Sequence, residues 1–226
     1  MSEFSTPPAS FLNYVPVPLA FGTSGLRGLV KDITDLEAYI NVKGALDYLM
    51  SSGDIRANSA VVIAGDLRPS TDRIMRACAQ AIVDSGCEVE NAGKIPTPAL
   101  TAHAISKKSA GVMVTGSHIP FDRNGIKINK SAGEVLKSDE AGIIRAVERV
   151  RAEEYRRSLT ATAFDACGML KRAPELPPLD GAAEAAYLRR YSDCFIRGGL
   201  SGMRILVYQH SCRPRHPAAY SARVGR

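Results

Sequence analysis

The residues best suited to chemistry lie together in one stretch, Gly111-Val112-Met113-Val114-Thr115-Gly116-Ser117-His118-Ile119-Pro120-Phe121-Asp122-Arg123-Asn124-Gly125-Ile126-Lys127-Ile128. It carries a hydroxyl, an imidazole and two cationic side chains. An apolar run leads into Gly-Ser-His; a Pro turn and Asn-Gly then lead into a second apolar run. The pattern predicts strand, exposed loop, strand, with Ser117 at the loop tip.

Three chemistries compete for Ser117. A turn serine would satisfy backbone groups and do nothing more. A hydrolase nucleophile with His118 as its base fits poorly, because such a base is usually distant in sequence and oriented by a third group, and the spacing is not that of a nucleophile elbow. A phosphoryl carrier would use every neighbour: Gly116 lets the backbone approach a phosphate, while His118, Arg123 and Lys127 surround it with cationic or proton-donating groups.

Two other stretches leave similar choices. Phe21-Gly22-Thr23-Ser24-Gly25-Leu26-Arg27-Gly28 is either a tight Gly-rich turn or an anion site, lined by Thr23, Ser24 and backbone amides with Arg27 as the fixed charge. In Gly65-Asp66-Leu67-Arg68-Pro69-Ser70, Arg68 leaves the carboxyl end of a buried strand. Open α/β sheets place ligands there, although a solvated turn arginine fits as well.

These three stretches, in this order, resemble the motifs of the α-D-phosphohexomutases, the phosphomannomutase and phosphoglucomutase family. The family's usual serine loop is Thr-Ala-Ser-His-Asn-Pro followed by Asn-Gly-x-Lys; here Gly116 replaces the alanine and Ile119 the asparagine. The resemblance implies a phosphoserine at Ser117 that moves a phosphoryl group between O1 and O6 of a hexose through a hexose 1,6-bisphosphate. It implies catalytic roles for Ser117, His118, Lys127 and Arg27, and substrate or phosphate binding by Thr23, Ser24, Arg68 and Asn124. It also implies Mg²⁺, bound through the phosphate on Ser117 and by an Asp-Gly-Asp-Gly-Asp-Arg loop.

No Asp-Gly-Asp occurs in these 226 residues, nor the family's Gly-Glu-x-Ser-Gly sugar loop, nor its Arg-x-Ser-Gly-Thr phosphate loop. The chain by itself is therefore expected to have little mutase activity. The Gly116 and Ile119 variants lean toward mannose over glucose phosphate as the substrate. The alternative is a non-catalytic phosphate-binding α/β remnant or pseudogene product.

The elements that must position these residues follow from periodicity. Thr34-Asp35-Leu36-Glu37 is a capping-box signature, with helical spacing from Leu36 to a stop at Gly53. A buried strand is expected at Ala60 to Ala64, then a helix capped by Ser70 and closed by Gly86. A strand near Glu88 to Ala92 and a helix from Pro98 to Ser106 precede the serine loop. Its return strand reaches Asn129, and a helix covers Ser138 to Glu154.

The alternation predicts a three-layer α/β/α domain with a mixed sheet over 19–154, after a loose arm at 1–18. Residues 155–180, with Leu176-Pro177-Pro178-Leu179, read as a linker. Residues 181–211, with a helix at Ala182 to Phe195 and a strand at Arg204 to Val207, resemble the opening of a second, similar domain. Cys212-Arg213-Pro214-Arg215-His216-Pro217 then breaks the pattern where a helix is due, which points to a shifted reading frame over 212–226. Resequencing the DNA across Val207 to Pro214 tests this.

Composition bounds the partners. The chain has 45% hydrophobic and 23% charged residues, and a net charge of +6. The excess is local: 212–226 hold four arginines and no acid, leaving 25 basic against 23 acidic residues elsewhere. This argues against nucleic acid as the partner, and the partner the resemblance implies is a sugar phosphate. Five cysteines with no Cys-x-x-Cys pair argue against a disulfide framework or zinc, and for buried thiols. No run of about 18 apolar residues occurs, so no membrane is expected, and the expected location is the cytoplasm. Nothing in the sequence speaks to oligomeric state.

Overall fold

The computed structural model describes residues 10–22, 25–195, 202–204 and 206. Strands β1 (Ala20–Gly22), β2 (Gly25–Leu29), β3 (Ala60–Gly65), β4 (Glu88–Lys94), β5 (Ala110–Val114), β6 (Arg123–Lys130) and β7 (Gly133–Glu134) form one sheet. Its order is β1-β2-β6-β5-β3-β4, with β7 beside β6. β3 runs parallel to β4 and β5, and the other pairings are antiparallel. The sheet is mixed, as the short connection through the serine loop requires: a parallel return would need a crossover of about a dozen residues or more.

Helices α1 (Asp35–Ser51), α2 (Thr71–Asp84) and α4 (Lys137–Tyr155) cover one face; α3 (Thr97–Lys107) and α5 (Ala182–Cys194) cover the other. The central strand β3 shows why three layers form. Val61 and Ile63 point into the first core, Val62 and Ala64 into the second, and all four are fully buried. A strand apolar on both faces needs helices on both. On the first face Leu36, Ile40, Leu46, Ile74 and Ile82 meet Val112, Val114 and Ile126. Each such side chain contributes about 1.5–3 kcal/mol of transfer free energy.

Helix α1 begins where the sequence places it, but the capping box closes only by half. The Thr34 hydroxyl accepts from the Glu37 amide at 3.2 Å. The Glu37 carboxylate turns into the interior instead and pairs with both terminal nitrogens of Arg151 on α4. Similarly, Ser70 stands at the N-terminus of α2 without a side-chain cap bond.

Four expectations are corrected. The Gly-rich 21–28 stretch is mostly strand: β1 and β2 pair with each other and β2 with β6, so Arg27 sits on a strand and not on a loop. Residues 155–180 are no free linker. Phe164 is 1% exposed within the first core and is bridged to Leu170, the Leu170 amide donates to the Asp35 carboxylate at 3.0 Å, and the Leu36 amide donates to the Gly168 carbonyl at 2.9 Å. The described end of the arm is pinned to the same strap: the Asn13 amide donates to the Ala166 carbonyl at 2.9 Å, and the Tyr14 and Thr34 hydroxyls bond at 3.1 Å. Finally, α5 lies on α3 and β4 with Ala183 buried in the second core, and so covers this sheet.

The strand expected over 204–207 and the 212–226 tail fall largely or wholly outside the described residues. Of the thiols expected to be buried, Cys78 and Cys87 are, whereas Cys167 and Cys194 are exposed; Cys212 lies outside the described residues.

Candidate functional site

The serine loop is built from below. Ladder pairing continues past β5, with the Thr115 amide on the Gly125 carbonyl at 3.0 Å; the chain then turns outward and returns through bonds from the Ile119 amide to Gly116 and from the Arg123 amide to Pro120. Ser117 sits at φ 47°, the left-handed region. That conformation costs a non-glycine residue about 1–2 kcal/mol, so the surroundings must enforce it.

Asp66, directly after β3, is one enforcer. It is 5% exposed, and its carboxylate accepts four bonds: Oδ1 from the Arg68 amide at 3.0 Å and the Thr71 hydroxyl at 2.6 Å, Oδ2 from the Thr115 hydroxyl at 3.1 Å and the Gly116 amide at 2.9 Å. The Ser117 amide in turn donates to Thr115 Oγ1 at 2.9 Å. The sequence signal for Asp66 is its place in Gly65-Asp66-Leu67-Arg68, directly after a buried strand.

Arg68 is the second enforcer. It is 2% exposed and lies under the loop. Nη1 donates to the carbonyls of Pro120 at 2.6 Å and Arg123 at 2.9 Å; Nη2 donates to those of Ile119 at 2.6 Å and Ser117 at 3.4 Å. Nε forms no hydrogen bond and stands 3.5 Å from Asp66 Oδ2. Its terminal donors are engaged by carbonyls, and the remaining donor, Nε, is buried beneath the loop on the Asp66 side.

The same packing explains Gly116, because a Cβ there would stand 2.1 Å from Arg68 Cζ. Phe121 covers the guanidinium from outside, its ring centre 5.5 Å from Cζ.

Asn124 is also taken up inside the fold. It is fully buried, donates to Ser70 Oγ at 2.9 Å and Thr71 Oγ1 at 3.2 Å, and accepts from the Gly125 amide at 2.8 Å. It ties β6 to the start of α2. Burial satisfies these polar groups with one another, as interior polar groups require.

The remaining expected residues face outward. Ser117 and His118 are exposed, with Ser117 Oγ 3.3 Å from His118 Nδ1. Arg27 pairs with Gly125 across β2 and β6, and Lys127 follows two residues along β6, opposite Met113. Leu26 and Ile126 point into the first core and Met113 into the second, so alternation places Arg27 and Lys127 together on the α3 side of the sheet.

Glycines make room for both. Lys127 Cγ lies 3.1 Å from where a Gly25 Cβ would be, and Arg27 Cγ 3.5 Å from where a Gly125 Cβ would be. Arg27, Arg123 and Lys127 side chains have no hydrogen-bond or ion-pair partner among the described residues. Thr23 and Ser24 lie outside the described residues.

The loop thus offers an exposed hydroxyl and imidazole, and the α3 side of the sheet an uncompensated cationic strip, a composition suited to an anionic group. It does not fit Mg²⁺ by itself. Among the described residues no three His, Cys, Asp or Glu side chains converge as a metal site, and Asp66, the carboxylate beneath the loop, is committed to four donors. No helix among the described residues is long and apolar enough to cross a membrane.

Residues 18–154 match the phosphoglucomutase/phosphomannomutase alpha/beta/alpha domain I. A phosphomannomutase of Sinorhizobium fredii is 34% identical over 84% of this chain and 38% of its own length. A phosphomannomutase of Salmonella muenchen is 36% identical over 86% of this chain and 36% of its own. The crystal structure of a phosphoglucomutase/phosphomannomutase family protein from Burkholderia thailandensis aligns with a TM-score of 0.54 at 20% identity, over 75% of this chain and 34% of that one. The chain thus spans little more than a third of the relatives it matches, and over that span it belongs to the phosphoglucomutase/phosphomannomutase family of isomerases.

Proposed function

We propose that Ser117 is the phosphoryl carrier of a phosphohexomutase, exchanging its phosphoryl group with a hexose monophosphate through a hexose 1,6-bisphosphate. The observation that carries this reading is the exposed Ser117 hydroxyl, held at φ 47° beside His118 and borne on a sheet whose Arg27 and Lys127 share one unpaired face.

In the forward step a sugar hydroxyl oxygen bonds to phosphorus as the bond from phosphorus to Ser117 Oγ breaks. The hydroxyl proton passes to Lys127, and Oγ takes a proton as it departs. His118 supplies that second proton, a role supported by the 3.3 Å between its Nδ1 and Oγ. Arg27 offsets the charge that spreads over the transferring group, and Lys127 joins it once it has taken the hydroxyl proton. Arg68 and Asn124 act beneath the loop and touch no substrate.

Mannose phosphate is the proposed sugar, supported by the names of the two phosphomannomutases above. The fragment's own turnover is proposed to be negligible, because its residues include no Asp-Gly-Asp. The test is to incubate the purified chain with mannose or glucose 1,6-bisphosphate and map phosphate by mass spectrometry. One phosphate on Ser117, lost in Ser117→Ala, is the expected result; no label, or label elsewhere, overturns the reading. A coupled mutase assay on the same sample separates carrier from complete enzyme: turnover near that of an intact relative would refute the claim of negligible activity.

A further inference from the structure

Arg68 lies under the loop, and its four bonds do more than fasten it. Each bonded carbonyl is aimed inward at the guanidinium. A trans peptide unit is planar, with its C=O and N–H antiparallel, so turning a carbonyl inward turns the following amide outward. The Ser117 carbonyl, 3.4 Å from Arg68 Nη2, therefore sends the His118 N–H to the solvent side, where Ser117 Oγ also lies. Ile119 is followed by Pro120, which has no N–H, so of the two carbonyls held by Nη2 only that of Ser117 is followed by an amide, the one on His118.

We infer that Arg68 is a positioning residue that turns the His118 amide toward a phosphoryl group on Ser117, so that the loop's own backbone holds the phosphate. The inference rests on Ser117 being the carrier. Three features of the structure fit it. Arg68 uses a planar fork of donors that a lysine does not possess. Its charge is compensated below by Asp66 Oδ2 at 3.5 Å, so the outward amide and not the buried cation faces the ligand. Gly116 leaves the space the guanidinium fills, since a Cβ would stand 2.1 Å from its Cζ.

A hydrogen bond to the charged form stabilises it, so the His118 amide should favour the phosphate dianion. The experiment places phosphoserine at position 117 of the full chain during translation, which makes loading independent of any activity. The ³¹P resonance is titrated and the ¹⁵N–¹H resonance of His118 is followed.

In the wild-type chain the second phosphate pKa is expected below its ordinary value of about 6, and the His118 amide should move downfield as the dianion forms. Arg68→Lys keeps the charge but not the fork and should raise the titration above the wild-type value, toward about 6, with the exposed cations still in place. Gly116→Ala, which displaces the guanidinium without removing it, should do the same. A His118 amide that ignores phosphorylation in the wild type overturns the inference even where both variants fail to fold. An unshifted titration in folded Arg68→Lys does so too. If the bisphosphate leaves Ser117 unlabelled while the installed phosphoserine behaves as expected, the carrier reading fails and the geometric one stands.

Discussion

Ser117 is exposed while almost everything that positions it is buried. Asp66 alone satisfies donors from β3's end, the start of α2 and the serine loop. Asp66→Ala would strand the Arg68 guanidinium and the Thr115, Thr71 and Gly116 donors; removing one partner of a buried charge pair costs about 3–5 kcal/mol. Urea denaturation should show a loss of that size, with Asp66→Asn milder because it keeps an acceptor. The exposed cations should behave oppositely. Arg27→Ala and Lys127→Ala should leave stability within about 0.5 kcal/mol. Each should slow labelling of Ser117 by bisphosphate about 10²- to 10³-fold, the loss typical of one charge-stabilising group. An equal loss of stability in these two variants would place them in the scaffold.

Among the elements, α1 and α4 are joined by an ion pair sealed from water. Glu37 is fully buried and Arg151 is 5% exposed in its side chain; Asn41 Nδ2 donates to Glu37 at 3.4 Å, and Arg151 donates to the Tyr155 hydroxyl at 3.1 Å. Burial alone would lower the Arg151 pKa, yet the Glu37 carboxylate holds it above the ordinary range. Arg151→Ala should cost about 3–5 kcal/mol, because it leaves Glu37 charged and unpaired.

Tyr155 reports on the same cluster at high pH. Burial first, and the Glu37 charge second, push its hydroxyl up to about 12. The fold thus favours the neutral phenol: its contribution is complete below the unfolded pKa of about 10 and is lost as pH rises through the folded value. Thermal melts should fall between those limits, and Tyr155→Phe should flatten part of the fall; an unchanged slope would refute the assignment.

On the scale of the whole molecule, the folding unit is wider than the matched segment. The strap over 157–176 closes the N-terminal end of α1 and inserts Phe164 into the first core, where its ring meets Tyr39 edge-on at 5.2 Å. Phe164→Ala should cost about 3–5 kcal/mol, as for other buried aromatics. A chain cut at 154 should melt well below the full one in calorimetry. Equal melting temperatures would restore the reading of 155–180 as a connector.

The sequence by itself determined the layers, the order of elements and the exposure of Ser117. Apolar alternation at Val61 to Ala64, the Thr34 cap and the Pro and Asn-Gly turns around the loop act through near neighbours, so local pattern suffices. The motif order likewise carried the family. Only the tertiary structure decided which polar motif residues stay exposed and which are buried under the loop. Arg68 and Asn124 look in sequence as available as Arg27 and Lys127, and Glu37 looks like half of a capping box. Their partners arrive from 52, 54 and 114 positions away. A buried polar group must be satisfied by whatever the fold brings to it, and that choice is made by packing across the sheet, not by the chain around the residue.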